Sequence, residues 1–243
     1  IPNTEIIRCG TQLYGHVFFI YMLLINLQKD MGTSIHYMGI FCFMLFMSRI
    51  NMKYIVTVST VVFTLIGGLF YYVNTLSELG DKSYKIKRVA SFLNGLLKNE
   101  YDYGIGYQVG QSLIAFGSGG LIGKGYGNGV QKYKYLPEIE TDFILASYGE
   151  ELGFIGMLLL LIIFLLLFNI TQRTAMETKD YFGKYLAMGI GGYIIIQMII
   201  NLSVALGILP VFGIPMPFFS SGGSSIVTVF SALGIIININ KNR

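Results

Sequence analysis

The sequence predicts an all-α protein: a polytopic transmembrane helix bundle of about six spans, with a long extracytoplasmic loop and a re-entrant segment rich in Pro and Gly. Three observations carry that expectation. Of 243 residues, 53% are hydrophobic and 12% charged, about half the charged share of an ordinary soluble domain, and mean hydropathy is +0.63. The apolar residues gather into runs long enough to cross a hydrocarbon core of about 30 Å. One polar stretch, residues 74–142, is far too long to be a plain connection.

Composition also excludes some functions. The 17 Lys and Arg against 13 Asp and Glu leave a formal charge of +4, scattered along the chain, so no nucleic-acid surface is expected. Cys9 and Cys42 have no CxxC spacing and no His cluster nearby, which leaves neither a disulfide framework nor a zinc site. The chain opens Ile1-Pro2-Asn3 without a basic, cleavable leader and is read as a fragment or processed product, one membrane domain over 1–243.

Taken in order, the spans are residues 12–27, 34–48, 54–73, 143–168, 185–209 and 224–240. The first closes at a tight polar turn, Gln28-Lys29-Asp30-Met31-Gly32-Thr33, where Asp30 is placed to cap the second. Arg49 and Lys53 separate the second from the third, Arg173, Lys179 and Lys184 surround the link between the fourth and fifth, and Lys241 and Arg243 follow the sixth. Alternating spans put these cations on one side, which the positive-inside rule makes the cytoplasm, with the C-terminus there. Residues 74–142 and 210–223 then face outward. His16 and His36, on apolar faces, are expected to be satisfied inside the bundle.

The outer stretch opens with a basic amphipathic run, Tyr84 to Leu93, in which Ile86, Val89, Ala90 and Leu93 recur at helical spacing. It suits a helix lying in the membrane interface, or recognition of a phosphate-bearing ligand. A glycine-dense run from Gly104 through Gly129 follows. Its spacing does not fit GxxxxGK[ST], and no strand and helix are expected to bracket it, so it reads as an ordered, ligand-facing loop rather than a nucleotide site. The stretch ends Leu136-Pro137-Glu138-Ile139-Glu140-Thr141-Asp142. An extended backbone would point all three carboxylates one way, and a helical one would pair Glu138 with Asp142. Asp142 stands at an apolar boundary, where an ionisable group is a functional hypothesis, and it is also placed to serve as an N-cap. Glu150 and Glu151 either bond neighbouring helices or line a polar cavity. Residues 209–225, with Pro210, Pro215, Pro217 and Gly222-Gly223, cannot form a continuous helix, and irregular backbone at membrane depth survives only buried in protein or lining a cavity.

Four blocks, Gln28 to Thr33, Gly106 to Lys132, Tyr135 to Gly156 and Gly207 to Ser225, resemble in kind and order those of the SEDS family. These are the membrane peptidoglycan glycosyltransferases of cell elongation, division and sporulation, with RodA, FtsW and SpoVE as branches. In the family's arrangement of about ten spans, these six would be the last six. The sequence departs from the family pattern at Lys29, Glu140, Phe212 and Ser221.

The resemblance implies polymerisation of lipid II on the outer face of the bacterial cytoplasmic membrane, with inversion and loss of undecaprenyl pyrophosphate, in a catalytic loop over 74–142. It implies Asp142 as the general base. Arg88, Lys124 and Lys87 would be cations for the leaving group, and Gln111, Glu138, Ser220 and Ser224 further substrate contacts. A divalent cation, Mg or Mn, would be the one cofactor, its ligands unspecified. Implied partners are lipid II, the nascent glycan strand, membrane lipid and a class B penicillin-binding protein. Two rival readings are a lipid II flippase and a non-catalytic scaffold for that transpeptidase.

Overall fold

The computed structural model describes residues 17–18, 20–25, 27–28, 30–47, 91–95, 101, 105–133 and 135–242. Among them there is no strand, and two short helical stretches, within 17–27 and at 91–95, accompany five longer helices. These are α1 (Met31–Met47), α2 (Ile105–Gly119), α3 (Ile144–Glu177), α4 (Tyr181–Ala205) and α5 (Gly223–Lys241). The last three are long and apolar enough to cross a membrane, and α1 is apolar but shorter, at 17 residues. The span expected at 54–73 lies outside the described residues, as do the basic run through Ala90, Cys9 and His16.

Capping chemistry sets the helix ends and moves several of the expected bounds. The Asp30 carboxylate accepts from the Thr33 amide (3.1 Å) and hydroxyl (2.6 Å), so α1 begins at Met31 rather than Ser34. Asp180 likewise accepts from the Gly183 amide at 2.8 Å and starts α4 at Tyr181. That helix ends at Ala205 because Gly207 takes left-handed backbone (φ 68), a helix-terminating conformation that glycine adopts without strain. Beyond Phe168, α3 runs on to Glu177, with Arg173 and Glu177 paired one turn apart at 2.8 Å.

Residues 105–119, expected as part of an ordered, ligand-facing loop, are helical instead. Their glycines conceal a helix: Val109, Ser112, Ala115 and Gly119 are buried at helical spacing in α2. The Ser112 hydroxyl donates to the Ala205 carbonyl at 2.6 Å and docks α2 on the end of α4. A helix therefore occupies the first part of the glycine-rich run.

Helix α4 is the centre of the bundle, packed by α1, α2, α3 and α5 and mostly buried. By contrast, α3 and α5 expose most of their apolar surface, as spans facing lipid do. His36 of α1 is buried, with a ring nitrogen 3.2 Å from the Tyr193 carbonyl of α4, satisfied inside the bundle as expected. Cys42 is a free, half-buried thiol. Residues 207–222 form an irregular segment whose Pro210, Val211, Ile214, Met216, Pro217 and Ser220 are buried, the condition that irregular backbone at membrane depth requires.

Candidate functional site

The local backbone before α3 is neither extended nor helical. Glu138 adopts left-handed backbone (φ 55), and its carbonyl accepts from the amides of Thr141 (3.2 Å), Asp142 (3.0 Å) and Phe143 (3.2 Å). The Thr141 hydroxyl donates to the Glu138 carboxylate at 3.0 Å, which helps hold that conformation. This tight turn delivers Asp142 to the mouth of α3. The N-cap position itself falls on Phe143, so Asp142 is not the cap.

Two other elements clamp the turn through its main chain. Asn201 of α4, only 1% exposed, donates its amide N–H groups to the carbonyls of Asp142 (2.9 Å) and Ile214 (2.7 Å). One turn earlier, Gln197 donates to the Pro215 carbonyl at 2.9 Å. The buried Ser220 hydroxyl donates to the Thr141 carbonyl and accepts from the Met216 amide at 2.7 Å. The Ser221 amide donates to the Glu140 carbonyl at 2.9 Å. Below the clamp, Phe143, Leu145 and Ala146 are wholly buried and fix the start of α3. Asp142 as a residue is only partly buried, and a Cβ added at Gly213 would lie 3.5 Å from its Oδ2. Glu138 and Phe218 (φ 68), the two non-glycine residues with left-handed backbone among the described residues, both fall here. Strained backbone concentrates at functional sites.

A second anchorage joins the glycine-rich loop to α3. Helix α3 breaks at Gly153 (φ 65, ψ −165), a conformation essentially restricted to glycine. The break frees backbone groups, and the loop satisfies them: Lys124 and Gly125 amides donate to the Glu150 and Glu151 carbonyls (3.0 Å each). In return, Phe154 and Ile155 amides donate to the Gly120 (2.9 Å) and Leu121 (3.1 Å) carbonyls. A Cβ on Gly123 would overlap the Glu151 carbonyl oxygen, so only glycine permits this approach.

The acidic pair settles as loop anchors. The fully buried Glu150 carboxylate accepts from Lys124 Nζ (2.6 Å) and the Gln131 amide (3.0 Å). Glu151 accepts from Lys132 Nζ (2.6 Å) and the Gly127 amide (3.0 Å). The Glu151 carboxylate holds the Lys132 ammonium above the usual lysine range.

The structure thus brings Asp142, Glu138 and Ser220 together. Lys124 is committed to Glu150 through one N–H, and Ser224 is exposed in the first turn of α5, its carbonyl accepting from the Thr228 hydroxyl at 2.8 Å. Gln111 lines a cavity of about 370 Å³ on α2 with Tyr101, Tyr107, Gly110, Leu113 and Ile114. Arg88 and Lys87 lie outside the described residues. Among the described residues, no three His, Cys, Asp or Glu side chains converge. Sequence reasoning missed Asn201, Gln197 and Gly213. The available signal was two amides one turn apart in an otherwise apolar span, since polar side chains inside a membrane are rare and seek partners.

All four sequence blocks meet in one chain of contacts. Gly32 packs so closely on Phe212 and Ile214 that a Cβ would strike the Phe212 carbonyl oxygen. That segment is strapped to Thr141 and Asp142, which lead through α3 to Glu150, Glu151 and the glycine-rich loop.

Residues 4–243 match the FtsW/RodA/SpoVE family of cell cycle proteins. The chain is 36% identical over 236 residues to a probable peptidoglycan glycosyltransferase FtsW of Trichlorobacter lovleyi, which covers 97% of this chain and 59% of that protein. It is 38% identical over 225 residues to stage V sporulation protein E of Bacillus subtilis, covering 93% of this chain and 58% of that protein. The chain therefore spans somewhat over half the length of these curated relatives. Among solved structures, a chain of a peptidoglycan synthase complex superposes with a TM-score of 0.70 at 23% identity, covering 94% of this chain and 61% of that one. A variant of the rod shape determining protein RodA of Thermus thermophilus superposes with a TM-score of 0.59 at 21% identity, covering 96% of this chain and 57% of that one. At these identities the two structures speak to the fold alone.

Proposed function

The chain belongs to the FtsW/RodA/SpoVE family of cell cycle proteins, and on that footing we propose that it is the carboxy-terminal part of a lipid II-polymerising peptidoglycan glycosyltransferase. It works in the bacterial cytoplasmic membrane, with six spans in this part, the C-terminus in the cytoplasm and Asp142 on the outer face. A class B penicillin-binding protein acts beside it on the same glycan, in elongation, division or sporulation.

The chemistry needs a base more than an acid. A sugar hydroxyl is a poor nucleophile, so a carboxylate must take its proton as the new bond forms. In the proposed step, the 4-hydroxyl oxygen of one lipid-linked disaccharide attacks the anomeric carbon of the growing strand. The proton passes to Asp142, and the bond from that carbon to the pyrophosphate oxygen breaks with its electron pair on the pyrophosphate. Attack opposite the leaving group inverts the anomeric centre, and no general acid is required because pyrophosphate leaves as a stable anion. Cations oppose its growing charge. Lys124 spends one of its three N–H donors on Glu150, leaving the others for this task, together with Arg88 and Lys87. No step is routed through a metal ion.

One observation carries the assignment: Asp142 is clamped through main-chain atoms by α4 and the Pro-rich segment while the residue stays partly exposed, its Oδ2 near Gly213. Preorganisation of this kind costs nothing at the moment of reaction. The departures at Glu140 and Ser221 meet through backbone atoms, so the clamp does not depend on those side chains. Labelled lipid II supplied to the reconstituted protein and its penicillin-binding partner tests the reading. Glycan polymer is expected; a complex that forms without polymer would favour a scaffold, and lipid movement without polymer a flippase.

A further inference from the structure

We propose that the tip of the glycine-rich loop, Leu121-Ile122, is embedded in the acyl region of the membrane leaflet on the Asp142 side, so that the loop dips into lipid instead of standing in water.

Helix length fixes the depth. From Phe154 to Thr171, the straight part of α3 is about 27 Å long at 1.5 Å per residue, close to the hydrocarbon thickness of about 30 Å. The far end is pinned at or beyond the hydrocarbon boundary by the Arg173–Glu177 pair, because charges of that kind are not tolerated in the core. Counting back places Phe154 and Ile155 at the opposite boundary. The loop is bonded to those two residues: their amides donate to the Gly120 and Leu121 carbonyls at 2.9 and 3.1 Å. Leu121 and Ile122 therefore share their depth.

The surface and the backbone both suit lipid. Leu121 is 70% exposed and Ile122 80%, and with Phe154 and Ile155 they extend the exposed stripe that runs down α3 through Leu158, Leu159 and Ile162. In water, two adjacent large aliphatic residues at a loop tip would be an apolar liability; here they continue a span's lipid face. Backbone groups cannot be left unpaired in hydrocarbon. The flanks of the tip are paired in this way: the Gly123 amide donates to the Gly119 carbonyl (2.8 Å), the Lys124 and Gly125 amides to α3, and the Gly120 and Leu121 carbonyls accept from it. The polar part of the loop, with Lys124 and Lys132, is held by Glu150 and Glu151 on the turn of α3 that leads toward Asp142.

The chain contains no tryptophan, so Ile122→Trp gives it a single fluorescent reporter, and Leu121→Trp gives an independent one. Each is reconstituted into nanodiscs of phosphatidylcholine brominated near the top of the acyl chains, or near their ends, and exposed to aqueous iodide. The expected result is blue-shifted emission, loss of more than half the intensity with the upper bromines, a smaller loss with the deeper ones, and no response to iodide. Quenching by iodide but not by bromolipid, in either variant that melts like the wild type, overturns the proposal in favour of water. Quenching by neither overturns it in favour of a covering protein segment.

Discussion

Replacing Asn201 by Leu keeps the volume of the side chain and removes both of its donated hydrogen bonds. The carbonyls of Asp142 and Ile214, which accept at 2.9 and 2.7 Å, then lose that donor inside the protein. A typical polar contact between membrane helices contributes about 0.6 kcal/mol, which would make the substitution almost silent. These two carbonyls differ because they belong to irregular backbone next to a donor that is 1% exposed, where each unmade bond costs about 1–3 kcal/mol. About 3 kcal/mol for the pair is the expected loss, and at about 1.4 kcal/mol per decade it raises local opening roughly 100-fold. Hydrogen exchange in peptides covering 137–143 and 210–222 should accelerate by that factor, while peptides from the middle of α4 and from α3 beyond Gly153 stay protected. Polymerisation should fall with it, because Asp142 loses its fixed position. Unchanged exchange in both segments, or acceleration spread evenly over the chain, would refute the idea that Asn201 holds the site together locally.

Gly123→Ala should destabilise the glycine-rich loop by at least about 2 kcal/mol, since it adds positive-φ strain (φ 85) to an overlap with the Glu151 carbonyl; protease cleavage within 119–130 reads it. Glu150→Gln should cost about 2 kcal/mol of thermal stability, less than the 3–5 of a fully buried pair because Lys124 remains a third exposed. Adding Lys124→Met should restore part of it. The raised value of Lys132 predicts an alkaline limit. A cation whose folded value is raised contributes stability in full below the ordinary value of 10.5 and loses it as pH climbs through the higher folded value. The melting temperature should therefore drop in that window, and the drop should shrink in Lys132→Met.

Much of the fold was legible because apolar run length is a strong signal: the spans containing α3, α4 and α5 were placed from composition alone. Their ends were not, since Asp30, Asp180 and Gly207 decide them through single hydrogen bonds or one dihedral angle. Helix α2 escaped notice because its glycines at 106, 110 and 117 read as loop, although its buried positions keep helical spacing. For the site, Asp142 stood out as a carboxylate at an apolar boundary, whereas its support did not. Asn201 and Gln197 act on backbone carbonyls, and no residue pattern announces which carbonyl a distant amide will reach; Ser220 was named as a substrate contact, and its hydroxyl is bonded to the Thr141 carbonyl and the Met216 amide. Glu150 and Glu151 could be recognised as a buried acidic pair, but their partners Lys124 and Lys132 lie across a loop whose path depends on the break at Gly153.

The account rests on the carboxylate of Asp142 accepting a proton. Asp142→Asn preserves shape and removes only that basicity, so the most direct measurement is glycan polymer from labelled lipid II by this variant and by the wild type, with melting and exchange confirming an intact clamp. Polymer is expected from the wild type and none above background from the variant. Polymer from both at comparable rates would contradict it.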